Sequence, residues 1–241
     1  IVTMPKKFPK DILKNKKKIK IGFDPKLHTE KQLNFLFNSK NIVLKPINRN
    51  LIDMFWYKKP KDLNKPFFSL SIKDSGQDSQ KKITKVKNIL LKNKVEYLLV
   101  TAPENVAWVL NIRGHDSEFS PIPNARLLIN SKGDVHLFSP LEKVGKIKKI
   151  FFNKIKFYDE SILESRLKTL RKKNIWLDSL SCSIHYKNLI KKNNKLLEKI
   201  DPIYFFKSIK NSTEIKNMKK THLTDGVALT KFLFWLKKNF S

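Results

Sequence analysis

The chain has 241 residues, 40% of them hydrophobic, and a formal charge of +30. That much apolar material builds one large domain or two modest ones and excludes a disordered tail. No run of about 18 apolar residues is present to make a transmembrane helix, which excludes a helical membrane span.

The charge raises nucleic acid as a partner. Arginine, the residue suited to bidentate phosphate and base contacts, occurs only at Arg49, Arg113, Arg126, Arg166 and Arg171. The lysines run from end to end and read as a solvated coat, so no nucleic-acid partner is expected, with a Lys-rich nucleic-acid-binding protein as an alternative. The start, Ile1-Val-Thr-Met-Pro-Lys6, lacks the apolar segment of a signal peptide. It also begins without Met, which reads as a chain cut from something longer. A cytoplasmic setting is the default. The single Cys182 makes neither an internal disulfide nor a structural zinc site.

A Lys-rich lead-in covers residues 5–20. Alternation over residues 19–24 predicts a strand, and Thr29 with Glu30 opens a helix to Asn38. A second strand follows over 41–46, then a short apolar segment over 51–56 and a Pro/Lys linker over 58–66. Residues 67–77 read as an ordered connector. A helix with Ile83, Val86, Leu90 and Leu91 on one face spans about 78–93, followed by a strand over 97–101. Pro103 and Glu104 open the next helix, whose Val106, Val109 and Leu110 mark a buried face. It runs out into the polar loop Asn111-Ile-Arg-Gly-His-Asp116.

Strands at 125–130 and 135–138 are joined by the tight turn Ser131-Lys-Gly-Asp134. A strand at 154–158, a helix at 161–172, a strand at 175–178, a short helix at 183–190 and a strand at 199–203 complete the unit. Asn211 or Ser212, with Glu214, caps a last long amphipathic helix. The alternation of helices and strands predicts an α/β fold with helices over a mixed sheet. The apolar face of the last helix calls for a covering body.

Several stretches together resemble one family. Val106-Ala-Trp-Val-Leu-Asn-Ile-Arg-Gly-His-Asp116 resembles the second domain of Xaa-Pro aminopeptidases (aminopeptidase P, creatinase superfamily). Ile21-Gly-Phe-Asp-Pro-Lys-Leu-His-Thr29 and Leu51-Ile-Asp-Met-Phe-Trp56 are similar to stretches of its first domain, and Trp176-Leu-Asp178 falls at a similar strand. Lys207-Ser-Ile-Lys-Asn-Ser-Thr-Glu-Ile215 is similar to the join into the catalytic domain, and residues 221–229 and 232–236 to that domain's first helix. The resemblance implies two creatinase-N-like α/β domains. The first, incomplete, would occupy residues 1–65 and the second 66–205, with the start of a truncated pita-bread domain over 206–241. It also implies two divalent metal ions, usually manganese, on a catalytic domain beyond this chain, so the fragment binds none and is inactive. Peptides with proline at the second position are the implied substrates, and a homodimer the implied assembly. A relative that has lost its metal ligands and serves as a binding module is the alternative.

No catalytic or metal-ligating residue is assigned within the chain. Asn111, Arg113 and Asp116 are the candidate wall of the substrate cleft, set against a structural Arg113–Asp116 pair that pins the loop. Asp24 and His28 lack a third ligand for a metal. Ser183 and His185 have no acid to orient a triad. Cys182 reads as a buried thiol, His222 as a packed histidine, and Trp108 and Trp235 as core residues.

Overall fold

The computed structural model describes residues 8–15, 17–60, 64–151 and 154–240. The ends of the chain, residues 5–7 and 16 of the Lys-rich lead-in and residues 61–63 of the expected linker lie outside them. The chain opens with α1 (Pro9–Leu13), β1 (Ile19–Phe23), α2 (Glu30–Phe37), β2 (Ile42–Pro46) and α3 (Leu51–Phe55). β1 and β2 pair in parallel, as the crossover helix between them requires. The Thr29 hydroxyl caps α2 by accepting from the Gln32 amide, and the Asn50 amide oxygen caps α3.

The main body begins with β3 (Phe68–Ser69), α4 (Ile72–Ser75), α5 (Ser79–Lys92), β4 (Tyr97–Val100), α6 (Pro103–Leu110) and β5 (Ile112–Arg113). It continues through β6 (Arg126–Asn130), β7 (Val135–Phe138), a 3-10 turn (Leu141–Val144), α7 (Gly145–Ile150) and β8 (Ile155–Tyr158). Next come α8 (Ile162–Thr169), β9 (Asn174–Leu177), α9 (Ile184–Lys191), β10 (Lys195–Glu198) and α10 (Pro202–Ser208), and then the 29-residue α11 (Ser212–Phe240).

Six strands form a mixed sheet in the order β10-β9-β4-β6-β7-β8. The β6–β7 hairpin turns at Ser131–Asp134 as its sequence predicts, and the remaining neighbours outside β4–β6 run parallel. Alternation along each strand feeds two cores. Leu98, Val100, Leu127 and Ile129 pack under α5, α6 and α7 with Val86, Leu90, Val109 and Ile147. Leu99, Leu128, Ile175 and Leu177 pack on the other face with Leu163, Leu167 and Ile190. The β1–β2 unit docks on α9: the Ile184 and His185 amides donate to the His28 and Pro25 carbonyls at 2.9 Å each, and Lys187 pairs with Glu30.

The structure corrects three expectations. The strand expected at 199–203 is instead β10 four residues earlier, followed by α10. Pro202 stands in the first turn of α10 and the buried Asp201 carboxylate caps it at the Ile203 amide, 2.9 Å away, so this stretch starts a helix. Trp235 is 52% exposed on α11 and His222 is exposed as well, because no element of the described chain covers that helix beyond its first turns. The polar loop after α6 contains β5, which pairs antiparallel with β3 in the stretch read only as a connector.

Candidate functional site: a groove beside Arg113

α6 ends at Asn111, which sits in the left-handed region at φ 53°, a conformation asparagine tolerates better than most residues. The turn sends the chain into β5 and brings Arg113 back beneath α6. Gly114 is needed just after it, because a Cβ there would lie 2.7 Å from the Pro123 backbone.

The three loop residues go to different tasks. The Asn111 side chain is buried and bridges α5 to the chain before it: its oxygen accepts from Lys82 Nζ at 2.6 Å, and its Nδ2 donates to the Gln77 carbonyl at 2.8 Å. Arg113 is half-buried, and Nη1 donates to the Ala107 and Ile112 carbonyls at 3.1 and 2.9 Å. Asp116 does not pair with Arg113. It accepts from Lys143 Nζ at 2.6 Å and from the Asn124 amide at 2.6 Å, in an ion pair nearly closed to water. The loop is pinned, but by Lys143 on the 3-10 turn and not by the arginine.

Lys82 was not singled out by sequence, and it is the deepest cation in the region, 1% exposed. Its Nζ donates to the Trp108 carbonyl at 3.0 Å and lies 4.3 Å from the centre of the Trp108 ring. All its close partners are neutral. Burial pushes the ammonium down to about 8, with Glu214 partly opposing the shift and Arg113 adding to it. Burial lowers the Arg113 guanidinium also. The sequence did hold a signal: Lys82 lies four residues before Val86, on the apolar stripe of α5. Among so many lysines that register did not stand out.

A groove of about 440 Å³ opens between this wall and the start of α11, lined by Trp108, Arg113, Asp74, Lys210, Glu214, Met218 and His222, with Asn217 and Thr221. α11 is anchored at its first turn. Asn211 and Glu214 form a reciprocal capping box, and Asn211 Nδ2 donates to the Ser75 carbonyl at 2.9 Å. Gly76, at φ 70°, permits this approach, since a Cβ there would meet Asn211 Oδ1 at 2.3 Å. A second link ties α10 to the start of α6. Asn105 Nδ2 donates to Asp201 at 2.8 Å, Lys207 Nζ to Asn105 Oδ1 at 2.7 Å, and the Tyr204 hydroxyl to Glu104 at 2.5 Å. Among the described residues no three His, Cys, Asp or Glu side chains come together to hold a metal ion. Cys182 is buried and its thiol is pushed up to about 12, far from a nucleophile's range.

A mixed six-stranded sheet with helices on both faces and a capped exit helix defines the chain as a helix-flanked α/β protein. It belongs to the creatinase/prolidase N-terminal domain family, whose model matches residues 58–214. The chain is 31% identical to Xaa-Pro aminopeptidase 1 of Dictyostelium discoideum, covering 92% of this chain and 37% of that protein. It is 30% identical to an Xaa-Pro aminopeptidase of Caenorhabditis elegans, covering 90% and 37%. The fold matches the crystal structure of X-prolyl aminopeptidase from C. elegans, described as a cytosolic enzyme with a di-nuclear active site, with a TM-score of 0.81 at 24% identity. That match covers 98% of this chain and 40% of the other. The chain thus spans well under half the length of the curated relatives it matches.

Proposed function

We propose that the chain is the non-catalytic N-terminal arm of a cytoplasmic Xaa-Pro aminopeptidase, a metallopeptidase that releases an N-terminal residue preceding proline. In this reading residues 1–65 close a first creatinase-N-like domain, 66–205 form the second, and 206–241 lead into the catalytic domain. Two metal ions, manganese in this proposal, sit on that domain. The arm walls the cleft with Arg113, held in place by the Asn111 bridge and the Asp116–Lys143 pin, limits peptide length and supports a homodimer. One observation carries the reading: similarity to Xaa-Pro aminopeptidases covers 90% or more of the chain. The apolar face of α11, bare at Leu223, Val227 and Leu233, supports it as a surface for the next domain to cover.

The test is release of the first residue from Xaa-Pro peptides with added manganese. The 241-residue chain is inert, and the chain extended through the catalytic domain is active. Turnover by the chain alone overturns the proposal, and so does an extended chain that lacks turnover.

A further inference from the structure

Buried or half-buried cations are ordinarily paired with a counter-charge, since an uncompensated charge out of water is expensive. Lys82 and Arg113 lie close enough to repel each other, and neither has a hydrogen-bonded carboxylate among the described residues, though Glu214 acts on Lys82 from a distance. Among the described residues, every acceptor within hydrogen-bond distance of either is a neutral oxygen: the Trp108 carbonyl and Asn111 for Lys82, the Ala107 and Ile112 carbonyls for Arg113. Among the described residues only Nη1 of Arg113 finds an acceptor, so the rest of its donor fork has none there. Trp108 lines the same groove, and its Nε1–H is shielded from water and has no acceptor among the described residues. The acids that line the groove are committed elsewhere. Asp74 accepts from Ser71 Oγ at 2.7 Å, and Glu214 accepts from the Asn211 amide at 2.8 Å.

We infer that the groove beside Arg113 receives the α-carboxylate of a short peptide. A carboxylate matches the free edge of a guanidinium, which takes two parallel hydrogen bonds. The Trp108 ring and Met218 give the residue next to the carboxylate an apolar wall, and about 440 Å³ holds a few residues and no long chain. The inference rests on the proposed peptide-handling role and deepens it. An arm that grips the far end of a peptide sets substrate length without touching the bond that breaks.

The test uses the 241-residue chain and a tripeptide with proline second, in free-acid and C-terminal amide forms, titrated by calorimetry and by nitrogen-15 NMR. The acid binds and moves the Arg113 and Trp108 indole N–H signals, and the amide binds about tenfold more weakly or worse. In Arg113→Gln the ratio of acid to amide affinity falls to about one, as the loss of the charged fork requires. Trp108→Phe weakens the acid alone. Equal binding of acid and amide by the unaltered chain overturns the inference, as does acid binding that leaves the Arg113 signals in place or no acid binding at millimolar concentration. An extended chain that hydrolyses Xaa-Pro peptides while its arm ignores the carboxylate sinks this inference and leaves the proposed function standing. Acid-selective binding with no turnover in the extended chain does the reverse.

Discussion

Lys82 carries its charge into a place where no carboxylate among the described residues hydrogen-bonds to it, Glu214 acting only from a distance. The ammonium is tolerated because two carbonyl-type oxygens and the face of an indole take its hydrogens and its field. The consequence for stability has a definite sign. The folded-state value is near 8, against 10.5 in an ordinary environment. The folded chain therefore binds fewer protons than the unfolded chain between those values, and stability rises with pH across them. Below pH 8 the penalty is present in full. Lys82→Met removes the penalty and also strands the Asn111 oxygen. Urea unfolding of both proteins at pH 7.5 to 9 shows the parent gaining on the variant toward alkaline pH, by on the order of 1 kcal/mol over that window. A difference independent of pH would mean that Lys82 keeps its proton in the fold with an ordinary value. Comparison with the variant isolates Lys82 from Cys182, whose raised thiol acts with the opposite sign above pH 9.

At the scale of elements, α11 is two structures in one helix. Its first turns are fixed by the Asn211–Glu214 box and by the Gly76 approach. From Leu223 onward its apolar side chains face outward, with Leu233 at 53% and Phe234 at 70% exposure. Leu233→Asp on the distal part leaves the urea midpoint of the α/β body within about 0.5 kcal/mol of the parent and reduces self-association in sedimentation experiments. Leu98→Ala, in the sheet core where the residue is fully buried, costs about 2–5 kcal/mol in the same unfolding assay. Equal losses from the two substitutions would mean that the distal helix folds back on the body.

For the molecule as a whole, the proposed function makes the charge of +30 a solvated coat. The lysines near the candidate groove are few, and two of the most buried, Lys82 and Lys143, are consumed by internal contacts. Duplex DNA retained by the chain at low salt is released by about 150 mM salt, as diffuse Lys–phosphate contacts require. A shift in gel mobility that survives that salt would return nucleic acid to the partners.

The sequence by itself determined the class of fold and the order of most elements. Period-2 and period-3.6 patterns are local, and the chain writes them in contiguous residues such as 97–100 and 103–110. It determined the β6–β7 turn, because Gly133 alone meets the positive φ of 97° there. It pointed to Asn111, Arg113 and Asp116, because the motif is contiguous. It misread 199–203, where the Asp201–Pro202 start competed with a run of apolar residues that suits either element. Only the tertiary structure decided who partners whom. Asp116 meets Lys143 across 27 residues and Asn111 meets Lys82 across 29. A charge 1% exposed on α5 looks in sequence like any other lysine. Ion pairing and desolvation depend on distances through space, which local pattern does not encode, so the unpaired cations beside the groove came into view only when the sheet had brought α5, α6 and α11 together.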